Sequence, residues 1–393
     1  MKNLKPHSSR MLFLSTSAFA VSFGVWGLIG ALAPTFAQMH QLSGKAKSLM
    51  IAVPVLLGAL GRIPAGILAD RFGGRRIFSL LLLLGAIPAA LIGLSTSYWQ
   101  ILLLGLFLGI AGSTFPVGVG FTSKWFTPNQ QGSALGIYGM GNIGQSIAVF
   151  GAPVLAIALG SWRPVFFIFA AVSVIWSIVF YLLARDAFSN PNPKTIREIL
   201  GTLRRERMAW ILSLFYFLTF GGFVAFSIYL PTLLRDMFKL TASDAGARSA
   251  GFVVLATVMR PLGGMLADKF GGARILKPVF IAIAVFSALM GCPSMPTFTV
   301  GALGAAAALG LGNGAVFKLV PEYFPKDTAT VTGLVGAFGG LGGFFPPLVL
   351  GVIKDATSTY TIGFVLLSLF ALGCLTVNIR MFHKRPRVSL ARA

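Results

Sequence analysis

The chain has 393 residues, of which 56% are hydrophobic and 11% charged, with a mean hydropathy of +0.84. A soluble domain carries about a quarter charged residues, so a water-soluble enzyme or signalling domain is excluded. The formal net charge of +22 does not describe a nucleic-acid surface either, because the basic residues fall in short segments between long apolar blocks.

Lys2, Lys5 and Arg10 precede the first apolar block. The run from Met11 to about Met39 is too long for the core of a cleaved signal, and many more such runs follow, so it is read as a retained first helix. About 20 residues cross a hydrocarbon layer. On that measure six helices lie at about 11–37, 48–69, 77–95, 99–121, 133–158 and 164–184. A polar stretch follows at 185–208, with Asn190-Pro191-Asn192-Pro193 and then Arg197, Arg204, Arg205 and Arg207. It reads as a cytoplasmic linker, with 194–207 a basic amphipathic helix on anionic headgroups. Six more helices lie at about 209–231, 247–267, 277–293, 298–321, 330–351 and 361–381. The expected domains are therefore residues 1–184, the linker 185–208, and residues 209–393.

Twelve helices return both chain ends to one side of the membrane. With the N-terminus inside, 22 of the 32 Lys and Arg residues fall in inner segments and 7 in outer ones. The excess places both termini in the cytoplasm and the chain in a cell inner (cytoplasmic) membrane. Three basic residues, Arg62, Arg260 and Lys318, lie within helices.

The two sets of six helices repeat. Gly61-Arg62 and the following Gly66-Ile-Leu-Ala-Asp70-Arg-Phe-Gly-Gly answer to Met259-Arg260 and Gly264-Met-Leu-Ala-Asp268-Lys-Phe-Gly-Gly at an offset of 198 residues. Gly141-Asn142-Ile-Gly144 answers to Gly339-Gly340-Leu-Gly342, and Trp125-Phe126 to Tyr323-Phe324, at the same offset. One offset across three helix pairs marks an internal duplication. A parallel repeat of six helices is the architecture of major facilitator transporters, all-α membrane proteins of twelve helices with substrate near the midplane between repeats.

Arg62 and Arg260 are the sharpest chemical signal. A charge at the centre of a membrane helix costs a few kcal/mol, roughly 3, and is kept for function. At equivalent repeat positions the two guanidiniums face each other across a central cavity, and an anion between them relieves their repulsion. All ten acidic residues and His7, His40 and His383 lie in loops or at helix ends. The cavity is thus net positive, and a titratable membrane carboxylate for proton coupling is missing. Asn142 reads as an amide donor to the anion, with interhelical glue the alternative. Asn313, in helix ten, is either a binding group or interhelical glue. Lys318 is expected to snorkel to the interface and pair with Glu322 one turn on, a step on the anion's exit path being the alternative.

The glycine runs Gly136-Ile-Tyr-Gly139-Met-Gly141-Asn142-Ile-Gly144 and Gly333-Leu-Val-Gly336-Ala-Phe-Gly339-Gly340-Leu-Gly342-Gly343 let helices five and eleven approach neighbours closely and move. These glycines, with Asp70 and Asp268, are the expected gating positions. Cys292 and Cys374 are isolated in apolar stretches and read as small buried hydrophobes. No metal cluster or nucleophile–base pair appears, so no enzyme and no cofactor is expected.

The chain resembles the nitrate/nitrite porter family of the major facilitator superfamily. The resemblance rests on Ala134-Leu-Gly-Ile-Tyr-Gly-Met-Gly-Asn142-Ile-Gly144, on Gly339-Gly-Leu-Gly-Gly-Phe-Phe-Pro-Pro347, on the paired arginines, on Tyr216-Phe-Leu-Thr-Phe220 and on Gly312-Asn-Gly-Ala-Val-Phe-Lys-Leu-Val-Pro321. It implies that Arg62 and Arg260 clamp the anion, that Asn142 and Tyr216 bind it, and that Phe220 walls it from water. Phe115 is a second wall and Trp26 the nearest helix-one candidate. It implies nitrate uptake with nitrite export, as exchange by rocker-switch alternating access. Proton symport of nitrate or of another small anion such as cyanate is the alternative, and a transporter-like membrane sensor the reading from a different class. The expected partners are the two anions and membrane lipid, with no nucleic acid, and the chain is expected to be a monomer.

Overall fold

The structure, a computed structural model, describes residues 7–42, 44–187, 201 and 205–382. Most of the linker 185–208, and with it most of the expected amphipathic segment 194–207, lies outside the described residues. The described residues are all-helical, with twelve helices long and apolar enough to cross a membrane.

In chain order they are α1 (Ser8–Met39), α2 (Gly44–Leu60 and Arg62–Phe72), α3 (Gly74–Gly93), α4 (Tyr98–Leu108, a 3₁₀ stretch Gly109–Ser113, Thr114–Ser123), α5 (Gln131–Gly139, a 3₁₀ stretch Met140–Asn142, Ile143–Ala158) and α6 (Arg163–Leu183). The second set is α7 (Arg207–Phe238), α8 (Ala242–Phe270), α9 (Gly272–Met290), α10 (Met295–Tyr323), α11 (Thr328–Thr357) and α12 (Thr361–Phe382). Several run past the hydropathic boundaries because polar end turns still satisfy the helix. Thr241, for example, caps α8 by accepting from the backbone N–H of Asp244 at 3.2 Å.

The packing repeats as the sequence does. α1 packs on α5 as α7 packs on α11, and α3 on α6 as α9 on α12. The loops after Asp70 and Asp268 turn on Gly73 and Gly271, both at φ 92°, a left-handed conformation that a side chain resists. Cross-repeat packing is made by α2 on α11 and by α5 on α8. Glycine makes both possible: a Cβ on Gly66 would lie 2.2 Å from the Ala329 carbonyl oxygen, and one on Gly264 would lie 1.9 Å from that of Gly132.

One end of the bundle carries the loops that follow α2, α4, α6, α8 and α10. There the Trp125 indole donates to the Arg185 carbonyl at 3.1 Å and the Arg185 N–H to the Met11 sulfur at 3.3 Å. Cys374 is buried, but Cys292 is exposed, because α9 ends at Met290 and leaves it in the following turn.

Candidate functional site

Arg62 opens the second segment of α2, and Arg260 stands in α8 directly before Pro261. Each is 2% exposed. Among the described residues neither has a carboxylate partner; helix carbonyls hold them instead. Arg62 donates from Nε to Gly112 at 3.2 Å and from Nη1 to Gly336 at 2.6 Å. Arg260 donates from Nη1 to Gly139 at 3.2 Å. Each arginine thus reaches across to the glycine-rich helix of the other repeat. Gly112 lies in the 3₁₀ stretch of α4, and Gly139 and Asn142 bracket that of α5. Tightening the helix there turns carbonyls out of the regular ladder toward a guanidinium.

The Asn142 amide packs on Arg260 and, with its oxygen toward the guanidinium, accepts from Nη2 at 3.1 Å. It therefore orients Arg260 first, where the sequence suggested direct donation to the anion. Its NH₂ faces away from the guanidinium.

The ring of Phe220 joins the two cations. The Cζ atoms of Arg62 and Arg260 each lie 5.3 Å from its centroid, so they are separated by at most twice that distance. Tyr216 stacks on Phe220 at 4.8 Å and 2° and runs parallel to Phe115 at 6.4 Å and 8°. Phe115 is also 5.9 Å from Arg62 Cζ. Three near-parallel rings therefore border the guanidinium pair. Their aromatic faces attract the cations and keep water out, while the guanidinium forks offer donors in one plane. The arrangement suits a small planar oxyanion.

The glycines divide by what they face. A Cβ on Gly139 or Gly336 would meet an arginine side chain, 3.4 Å from Arg260 Cδ or 3.1 Å from Arg62 Cδ. One on Gly141 would lie 2.3 Å from Phe19, one on Gly144 1.8 Å from the Ala20 carbonyl, and one on Gly342 2.4 Å from the Phe217 carbonyl. Gly339 faces Tyr216 and Phe220, and Gly340 faces Ala59 of α2. The runs are therefore packing surfaces for the arginines, for α1 or α7, and for the opposite repeat.

Asp70 and Asp268 lie away from the arginines, at the loop-bearing end. Asp268 accepts from the backbone N–H groups of Gly132 at 2.8 Å and Ser133 at 2.7 Å, and from the Ser133 hydroxyl at 2.7 Å. Asp70 accepts from the Thr330 N–H at 2.8 Å and pairs with Lys124 at 3.4 Å. Each aspartate caps the first turn of a helix in the other repeat, α5 or α11, where free N–H groups and the helix dipole favour an anion. Lys318 is buried, 3.3 Å from Asp268, and donates to the Pro128 carbonyl. It belongs to this closure, which corrects the expectation that it snorkels to the interface. On the other side of the arginines a cleft of about 390 Å³ lies between α1, α2 and α5 and α7 and α8, lined among others by Trp26, Asn142, Gln145 and Phe223. The end closed by aspartates and the end with a cleft are opposite ones.

Trp26 lines that cleft and donates to the Pro54 carbonyl at 3.3 Å, but the α1 ring nearest the site is Phe19, 5.3 Å from Phe115 and 4.9 Å from Tyr138. Sequence reasoning missed Phe19, Tyr138 and Phe317. Tyr138 is fully buried and donates to the Phe115 carbonyl at 3.1 Å, fixing that wall. Its place inside the α5 glycine run was the available signal, as the helix-ten stretch Gly312 to Pro321 was for Phe317; for Phe19, one of 35 phenylalanines, there was none.

A family model described as Major Facilitator Superfamily matches residues 14–346 and 238–392. The chain is 40% identical over 372 residues to the nitrite extrusion protein of Bacillus subtilis (strain 168), covering 94% of each chain. It is 36% identical to the probable nitrate transporter NarT of Staphylococcus epidermidis, over 99% of this chain and 100% of that one. It is 35% identical to the probable nitrate/nitrite antiporter NarK1 of Thermus thermophilus, over 93% and 90%. Among solved structures, the human organic anion transporter MFSD10 superposes with a TM-score of 0.83 at 16% identity, over 95% of this chain and 100% of that one. The Escherichia coli fucose:proton symporter FucP gives 0.77 at 17%, over 95% and 98%. At these identities the structural likeness speaks for the fold alone.

Proposed function

Since the chain belongs to the Major Facilitator Superfamily, and within it to the nitrate/nitrite transporters, we propose that it carries nitrate into the cell and nitrite out of it, as an exchanger whose anion sits between Arg62 and Arg260. The observation that carries the reading is the pair of buried guanidiniums sharing one aromatic ring with no carboxylate between them.

At a separation of at most about 10 Å their repulsion is at least about 1.7 kcal/mol for an effective dielectric of about 20, and an anion in contact with both turns it into a net attraction. Loaded with anion, the two repeats draw together; empty, they retain two uncompensated charges. Exchange follows, because the return step also requires an anion. The moving units in this reading are residues 1–184 and 209–393, which rock about the site. The charge distribution supports placing the aspartate-closed end and both termini in the cytoplasm; the reading takes the carrier as a monomer surrounded by the lipid of a cell inner membrane. The cleft then faces outward, and inward opening must break the Asp70 and Asp268 caps.

The test is nitrate uptake into nitrite-loaded proteoliposomes. Arg62→Lys and Arg260→Lys, which keep the charge but lose the planar fork, each abolish exchange while helicity and elution profile remain wild-type. Full exchange in either variant removes the clamp.

A further inference from the structure

Asn313 lies within α10, is 1% exposed, and has no hydrogen-bond partner at either its amide oxygen or its amide nitrogen. Packing does not account for a buried amide with both ends idle. Its neighbours on α10 show where it stands. Phe317, one turn on and on the same face, has its ring 4.5 Å from Tyr216 and 4.8 Å from Phe115. A Cβ on Gly314 would lie 2.3 Å from the Arg260 carbonyl oxygen, and one on Gly312 would lie 2.6 Å from Thr219 Cγ2. Asn313 is therefore held between α7 and α8, at the level of Tyr216 and Arg260. The 198-residue repeat pairs it with Phe115, which already walls the arginine site.

The idle polar atoms around the site are one-sided. The first-repeat donors are engaged, Arg62 on Gly112 and Gly336 and Tyr138 on Phe115. On the second repeat, Arg260 Nε, the Thr219 hydroxyl and the Asn313 amide make no well-aligned hydrogen bond, and the Tyr216 hydroxyl faces Arg260.

We propose that Asn313 is a further polar contact of the transported oxyanion: its amide nitrogen donates to an oxygen on the second-repeat side of the arginine pair. The anion then sits closer to Arg260 than to Arg62, with an aromatic wall from the first repeat and an amide from the second. An amide oxygen would repel an anion, so the amide has one productive orientation. The inference rests on the reading of the arginine pair as the anion site.

Nitrate titrations of the purified full-length protein, with melting curves in anion-free buffer, test it. Asn313→Leu weakens nitrate binding roughly tenfold, the size expected for one hydrogen bond to a charged group. Its melting temperature without anion stays level or rises, since an idle buried amide is removed. Arg260→Lys, run alongside, loses binding. If Asn313→Leu binds nitrate as wild type does while Arg260→Lys does not, the amide is no contact and the inference fails with the arginine site intact. If Arg260→Lys binds fully, both readings fail. Asn313→Ala serves where the leucine variant does not fold. A fall in anion-free melting temperature that accompanies the weaker binding in the variants assigns Asn313 a packing role and overturns the proposal.

Discussion

A guanidinium inside a membrane protein usually ends on a carboxylate. Arg62 and Arg260 end on carbonyls at Gly112, Gly336 and Gly139, which satisfy donors without cancelling charge. That distinction lets the site remain positive yet ordered. The room for it comes from missing side chains, Gly339 among them. A Cβ there would lie 2.4 Å from Tyr216 Cδ1 and 3.1 Å from Phe220 Cδ1, forcing the stacked rings toward the cations. Overpacking of this kind costs about 1–3 kcal/mol, so Gly339→Ala weakens nitrate affinity by about ten- to a hundredfold. Gly151→Ala, at a position with nothing within 4 Å, leaves affinity unchanged. Binding titrations of the two variants check both statements.

At the scale of elements, the two aspartate caps are equivalent in position and unequal in strength. Asp268 takes three hydrogen bonds from α5 and pairs with buried Lys318; Asp70 takes one from α11 and pairs with the more exposed Lys124. Removing one partner of a buried pair costs about 3–5 kcal/mol. Asp268→Asn therefore shifts the carrier toward opening at that end more than Asp70→Asn does. Labelling of a single cysteine at Thr332, buried in α11 and bound to neither aspartate, with native Cys292 and Cys374 replaced, reads the shift; equal labelling in both variants contradicts the asymmetry. The sequence made the twelve spans and the arginine pair legible, because apolar length and a constant offset survive without coordinates. The two 3₁₀ stretches were not legible: glycine permits them, but they lie where Arg62 and Arg260 take the carbonyls of Gly112 and Gly139, which depends on tertiary packing. The orientation of Asn142 toward Arg260, and the pairing of Lys318 with Asp268 across 50 residues, likewise depend on which helix packs against which.

For the whole molecule, duplication explains both the symmetry and its limits. The repeat supplies two arginines, two turn glycines at Gly73 and Gly271, and two aspartate caps. Divergence then makes the walls unlike, with Phe115 in one repeat where the other has Asn313. Closure at one end and a cleft at the other fit one half of an alternating-access cycle, and in the proposed exchange the uncompensated arginine pair makes the return of an empty carrier the unfavourable step. Among the described residues no carboxylate pairs with either arginine, and the acids within the helices stand toward their ends, as Asp70 and Asp268 do. The direct test is counterflow of labelled nitrate into liposomes with and without internal nitrite, at several pH values. Rapid uptake that requires internal nitrite and is indifferent to an imposed pH gradient is the predicted result. Uptake that proceeds equally without nitrite, or that follows the pH gradient, contradicts exchange through the arginine pair.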